Sequence, residues 1–132
     1  MSTLLNTNMY DYMKVLDKAA DAAWIRNDCI QNNLANVNTP GYKREDVDFT
    51  AQLKQAMSQF HYMTTDEKVA NLTSRDLAPK SYIDYGGYSY RKDENNVDID
   101  VENVYLAENQ IYYNGLVMAI TTDFNDLRTV TK

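Results

Sequence analysis

The chain is poor in the residues that punctuate or cross-link a fold: its 132 residues include one cysteine, one histidine, one tryptophan, two prolines and four glycines. Cys29, being single, makes no intramolecular disulfide and is read as an inert packing residue. His61 has no Cys or acid at ligand spacing near it, which removes a zinc centre from consideration. No apolar run reaches membrane-spanning length. The first 20 residues lack a basic start, a continuous apolar block and a small-residue cleavage site, so a conventional secretory signal is not expected. Excess positive charge is missing too. The net charge is −6, and residues 98–128 carry six acids (Asp98, Asp100, Glu102, Glu108, Asp123, Asp126) against Arg128 alone. A nucleic-acid backbone needs clustered Lys and Arg, whereas Lys43, Arg44, Arg91 and Lys92 are interleaved with acids and form no stripe.

Catalytic signatures are equally scarce. The chain contains no phosphate-binding loop, dinucleotide fingerprint or nucleophile elbow. Paired carboxylates at Asp66-Glu67 and Asp93-Glu94 stand in polar surroundings that suit solvated loop charge better than a tuned acid and base. A calcium loop across Asp93–Glu102 fails because no glycine stands at its turn position. No enzyme, no cofactor and no metal are therefore expected.

What the chain does have is the same apolar period at both ends. Met9, Met13, Leu16, Ala20, Ala23, Asn27, Ile30, Leu34 and Val37 follow at alternating spacings of four and three, with Asn27 the one polar member. Such a 3.5-residue period suits a helix that supercoils against a partner, here a rod of roughly 42 Å. Leu106, Gln110, Tyr113, Val117, Ile120, Phe124 and Leu127 repeat the pattern, broken only at Gln110. The expected fold is mainly α: long N- and C-terminal helices paired as a coiled coil, with a looped-out middle holding a short helix and a small β-hairpin. Three stretches of one structural unit follow, at residues 1–60, 61–96 and 97–132. Gly115 interrupts the last helix at a cost of about 1 kcal/mol relative to Ala, which a close backbone approach or a soft point would explain.

Between the helices the punctuation is informative. Thr39-Pro40-Gly41-Tyr42 puts Pro second and Gly third in a turn, the arrangement of a type II turn whose third residue takes positive φ. The first helix should stop near Asn38, after the amides Asn32, Asn33, Asn36 and Asn38, which either cap loose carbonyls and bridge to neighbouring backbone or form a solvated end. Val47, Phe49, Leu53, Met57 and Phe60 predict a short amphipathic segment over residues 49–59. Gly86-Gly87 between β-prone residues predicts a hairpin pairing Tyr85 with Tyr88, Asp84 with Ser89 and Ile83 with Tyr90. Asp98 is the expected N-cap of the last helix, with Asp100 and Glu102 placed to favour its dipole.

The string NNLANVNTPGYK, followed by REDVDF and later by NNVDIDVENVYLAENQIYYNGLVMAI, resembles the bacterial flagellar axial family, and within it the proximal rod proteins of the basal body. The similarity covers nearly the whole chain and is weakest over residues 64–90. Asn32 to Tyr42 is a mark of the whole axial family, and the short length, Asp46-Val47-Asp48-Phe49 and Asn95-Asn96-Val97-Asp98 narrow it to the rod. The resemblance implies a structural subunit of a tube that transmits torque and surrounds an export channel. Its implied partners are copies of itself, other rod proteins, the adaptor between membrane ring and rod, the flagellar type III export gate and the rod-capping factor, with no nucleic acid and no direct membrane insertion. It also implies a place in the basal body, within the periplasmic cell-envelope rod, reached from the cytoplasm without a cleavable signal. Phe49 and Leu53 have the Phe-x-x-x-apolar form of an export-gate element, a spacing equally natural in any amphipathic helix. The alternative is a cytoplasmic coiled-coil adaptor or export chaperone of a secretion system, which explains the acidity and the helices but not the turn at Pro40-Gly41.

Overall fold

The computed structural model describes residues 2–86 and 91–132 of the chain. Its elements, in order, are α1 (Ser2–Ala35), β1 (Glu45–Val47), α2 (Phe49–Ser58), α3 (Thr65–Asn71), β2 (Ser81–Ile83) and α4 (Ile99–Val130). The two long helices pack against each other, and α1 also receives β1 and α3. α1 is thus buried on more than one side. The sequence explains how: Ala19, Ala22 and Ala23 are small enough to let neighbours approach, and all three belong to one core with Cys29, Val47, Phe49, Ala56, Leu72, Leu77 and Leu116.

The middle of the chain is not looped out as expected. Phe49 and Ala56 of α2, together with Leu72 and Leu77, join the core that α1 and Leu116 of α4 share. Apolar side chains spaced along residues 47–77 would be solvated in a free loop, and folding them onto the alanine face of α1 removes them from water. Periodicity over residues 64–71 is too short to announce α3. The segment is instead held by its ends, with a capping box in which Thr64 and Glu67 satisfy each other's backbone amides. Two tethers fix it to α1, Tyr12 Oη donating to Asp66 at 2.6 Å and Lys14 Nζ to the Leu72 carbonyl at 2.8 Å.

The short amphipathic segment expected from residue 49 is α2, N-capped by Asp48, whose side chain accepts the Ala51 amide. The hairpin expected around Gly86-Gly87 is not what holds residues 81–83. There β2 pairs antiparallel with β1, placing Glu45 opposite Ile83, Asp46 opposite Tyr82 and Val47 opposite Ser81. An isolated hairpin is marginal in water, whereas β1 is anchored to α1 and offers a fixed edge. Gly87, Tyr88, Ser89 and Tyr90, the remainder of the expected pairs, lie outside the described residues.

Candidate assembly surface and the clasp that shapes it

The first helix ends at Ala35, three residues before the expected stop, and the chain turns through Asn36–Tyr42. Tyr42 N–H donates to the Thr39 carbonyl at 3.2 Å, closing the four-residue turn, and Gly41 sits at φ +72° as the Pro-Gly order requires. A Cβ at Gly41 would meet nothing within 4 Å, so glycine is needed there for its backbone and not for space.

Beyond the helix, asparagine amides occupy the carbonyls that the turn leaves open. Asn95, buried, donates through Nδ2 to the carbonyls of Asn36, Val37 and Thr39 at 2.9, 3.0 and 2.9 Å, while its Oδ1 accepts the Val97 amide at 2.8 Å. Arg91 adds a second donor to Val37 at 2.6 Å. The neighbouring Asn96 accepts the Arg44 amide at 2.8 Å and donates to the Asp84 carbonyl at 2.7 Å. The amide-rich string at the end of α1 and the Asn-Asn pair before α4 are therefore two halves of one clasp.

Asn33 is its centre. It is 0% exposed, and its amide pairs with both backbone groups of Glu45 at 2.8 Å, extending β1 sideways onto α1. It also accepts from Tyr42 Oη and donates to Glu102, each at 3.2 Å. Asn32 beside it is exposed. The polar ladder read from sequence is thus bridging at Asn33 and solvated at Asn32.

Around Asn33 lies a partly buried charge network that no local pattern in the sequence announced. Arg44 reaches Glu102 at 2.6 Å, Asp84 at 2.9 Å and Asp46 at 3.1 Å, while Arg26 of α1 meets the other oxygen of Asp46 at 2.8 Å. Both guanidinium groups stand 5.4 Å from the ring centroid of Tyr105 on α4. Burial pushes the Asp46 carboxyl up, but hydrogen bonds from Arg26, the Val47 amide and Arg44 outweigh it and hold it below the ordinary aspartate value. Burial likewise opposes the Arg44 charge, and its carboxylate partners Glu102, Asp84 and Asp46 raise it above the usual arginine value. Glu102, read from sequence as a dipole-stabilising residue, is 1% exposed and serves as the acceptor that joins α4 to both Arg44 and Asn33. Its charge disguised it, since sequence alone ranks a first-turn glutamate as surface. Cys29 is buried, and burial, with Glu45 and Asp46 nearby, pushes its thiol pKa up.

Beyond the clasp the two expected seams divide. On α1, Met13, Ala23 and Ile30 are buried and Met9, Leu16, Ala20, Asn27 and Leu34 half-buried, while Val37, half-buried, falls in the turn after it. On α4, Leu106, Tyr113, Ile120 and Leu127 are half-buried, whereas Gln110, Val117 and Phe124 are exposed. The positions between the former are filled by Glu102, Asn109 and Leu116, all buried, and by half-buried Asp123. The inward line is thus 102, 106, 109, 113, 116, 120, 123, 127. It keeps the seven-residue period and exchanges Gln110, Val117 and Phe124 for Asn109, Leu116 and Asp123. Asn109 accounts for one exchange, its Nδ2 donating to the Ala23 carbonyl of α1 at 2.8 Å.

That exchange leaves apolar side chains outside. Trp24, Ile111, Met118, Phe124 and Val130 are each more than half exposed, and Val117 and Tyr112 nearly so. Scattered apolar residues are ordinary on a surface, but here six of them crowd residues 111–130 of α4, with Trp24 on α1, a density that suits an interaction face. The possible export element lies elsewhere, with Phe49 buried and Leu53 half-buried on α2. Among the described residues no helix is long and apolar enough to cross a membrane, and no group of acids, Cys and His could hold a metal ion.

Comparison with known proteins decides what this arrangement belongs to. A family model described as "Flagella basal body rod protein" matches residues 13–43, the run of α1 and the turn that the clasp closes. The flagellar basal body rod protein FlgB of Bacillus subtilis (strain 168) is 38% identical over 115 residues, covering 87% of this chain and 88% of the relative. The chain belongs to the FlgB family of flagellar basal body rod proteins. FlgB of Borrelia hermsii is 32% identical over 121 residues, 85% of this chain and 89% of the relative. FlgB of Cereibacter sphaeroides is 29% identical over 132 residues, with 96% and 98% covered. The protein is accordingly a structural component of the flagellar basal-body rod and not an enzyme. A cytoplasmic adaptor or export chaperone finds no support in these matches.

Proposed function

We propose that this FlgB-family chain builds the proximal part of the rod, with α1 and α4 acting as one paired unit of coiled-coil type whose uncovered apolar side is buried by neighbouring subunits. One observation carries the reading: the clasp around Asn33 holds the two helices together while Trp24, Val117 and Phe124 stay outside it. Fully burying an exposed side chain gives about 1.5–3 kcal/mol, and these are already about half covered, so each adds roughly 1 kcal/mol and several together drive association. The finished tube would transmit torque and surround an export channel. Its contacts would include copies of this chain, other rod proteins, the adaptor to the membrane ring and the rod-capping factor.

Export from the cytoplasm to the periplasmic rod completes the proposal, with Phe49 and Leu53 as the element met by the type III gate. Phe49 is buried in the folded chain, so that recognition requires an unfolded subunit. The test is complementation of a flagellated strain lacking its own FlgB. Swimming should return, and the tagged chain should sediment with purified basal bodies. Recovery only from the soluble cytoplasm, with motility unrestored, contradicts the proposal.

A further inference from the structure

We infer that the outer edge of β2 pairs antiparallel with the same edge of a second copy, giving a two-fold dimer of the free chain through a sheet in the order β1, β2, partner β2, partner β1. The pairing goes beyond the rod reading and does not rest on it.

The hydrogen-bonding phase of the sheet leaves this edge open. Continuing the register of Glu45 opposite Ile83 by one residue sets Arg44 opposite Asp84, and there the Asp84 amide donates to the Arg44 carbonyl at 2.9 Å. Bonded and non-bonded positions alternate along an antiparallel pair, so Tyr82 is the next residue bonded to β1. Ser81 and Ile83 therefore turn their N–H and C=O groups outward. Among the described residues neither backbone has a partner, and Ser81, Tyr82 and Ile83 are all exposed. The other borders of the sheet are occupied. Asn33 joins β1 to α1, and at the end of the ladder the Asn96 amide accepts from the Arg44 N–H and donates to the Asp84 carbonyl. An open strand edge is a template for another chain.

The residues along the edge are complementary to themselves. Bonding Ser81 to the partner's Ile83, and Ile83 to the partner's Ser81, sets Tyr82 directly opposite the partner's Tyr82. The same register sets Lys80 opposite the partner's Asp84, and Asp84 opposite the partner's Lys80. Alternate residues share a face, so an aromatic contact is flanked on both sides by opposite charges. Lys80 is exposed and has no ion pair among the described residues, while Asp84 keeps Arg44 on its Oδ2. Sliding the partner by two residues in either direction removes both charge pairs and the tyrosine contact. Pro79, opposite the partner's Tyr85, has no N–H to give and ends the ladder.

So short a ladder falls below the roughly 1,200 Å² of a stable interface, which makes the dimer weak and reversible. It also closes on itself. Each copy's open edge is covered by the other, so a two-fold pair leaves no edge for a further chain, unlike the heterologous contacts of a tube.

Sedimentation equilibrium of the purified full chain, from micromolar to millimolar concentration, should show a monomer–dimer equilibrium. Hydrogen exchange over the same range should show the Ser81 and Ile83 amides gaining protection as concentration rises. Tyr82→Cys should oxidise to a disulfide dimer linked at that position, because directly opposed non-bonded residues have Cα atoms about 4.5 Å apart, within the roughly 4.4–6.8 Å that a disulfide spans. Tyr85→Cys should not, and buried Cys29 is the same background in both. Ser81→Pro removes an outward N–H that β1 does not use and should weaken the dimer roughly tenfold. Lys80→Glu sets like charges opposite each other and should act in the same direction, whereas Lys54→Glu on α2 should leave the dimer unaltered. Unchanged circular dichroism melting at micromolar concentration shows that the fold survives, and Lys80→Glu carries the test if Ser81→Pro does not fold. A chain that stays monomeric at millimolar concentration overturns the inference. So does a dimer indifferent to Ser81→Pro and Lys80→Glu, or equal cross-linking from positions 82 and 85. Failure to restore swimming strikes the rod reading alone.

Discussion

Replacing Asn33 with alanine removes the centre of the clasp and leaves the helices themselves unaltered. The side chain makes four hydrogen bonds, two with Glu45, one with Tyr42 and one with the Glu102 carboxylate. A typical bond contributes about 0.5–1.5 kcal/mol net, and one to a charged group roughly 1.5–3. Water can reach part of the vacated site beside half-buried Glu45, which recovers some of the loss. The expected destabilisation is about 4 kcal/mol, a large share of the roughly 5–15 kcal/mol that stabilises a domain. For a chain of this size that is a fall of roughly 10–20 °C in melting temperature. Urea unfolding followed by far-ultraviolet circular dichroism measures it. Asn32→Ala is the internal control, one residue away and exposed, and should change stability by less than about 0.5 kcal/mol. Equal effects of the two substitutions, or a loss below about 1 kcal/mol at Asn33, would refute the clasp.

Gly41→Val forces a β-branched residue to φ +72° with no steric contact to its side chain, so its cost is that of the backbone alone, about 1–2 kcal/mol by denaturant unfolding, with reduced swimming. A variant as stable and motile as the parent contradicts the turn. Gly115→Ala should stabilise the isolated chain by about 0.5–1 kcal/mol, because an added Cβ meets nothing within 4 Å and helix propensity improves; a loss of stability would mean that the helix is not continuous there. Stability should also depend on acid. The Asp46 carboxyl is depressed in the folded state, so the folded chain binds fewer protons than the unfolded one; its contribution is complete above the ordinary aspartate value of about 4 and is lost as pH falls through the lower folded value. Asp46→Asn should flatten that part of the stability profile, and an unchanged slope below about pH 4 argues against the network.

Much of this architecture is legible in the residues, and what is not has a common cause. Both long helices, the Asp98 cap, α2 and the Pro40-Gly41 turn follow from local rules of period, capping and φ, which act within a few residues. The α4 seam is only half legible, because Leu106, Tyr113, Ile120 and Leu127 share the period with either of two neighbouring lines. Apolarity at Val117 and Phe124 selects the line through Gln110, while packing selects Asn109, Leu116 and Asp123. Asn109 faces inward because it has a backbone carbonyl to bind on another helix, and no local signal reports that. The same holds for Glu102, whose partners lie 58 and 69 positions away, and for β2, whose partner strand is separated from it by two helices. Proline and glycine could mark where the chain turned; only tertiary contact could tell which acids and amides the turn would enclose.

The central claim is that α1 and α4, joined through the clasp, form the unit that packs into the rod. A cryo-electron-microscopy reconstruction of basal bodies from cells relying on this chain tests it most directly. The account predicts the two helices side by side in the rod wall, Asn33 against Glu45 and Glu102, with Trp24 and Val117 covered by a neighbouring subunit. Density in which the helices are separated, or in which that face remains open to solvent, would contradict it.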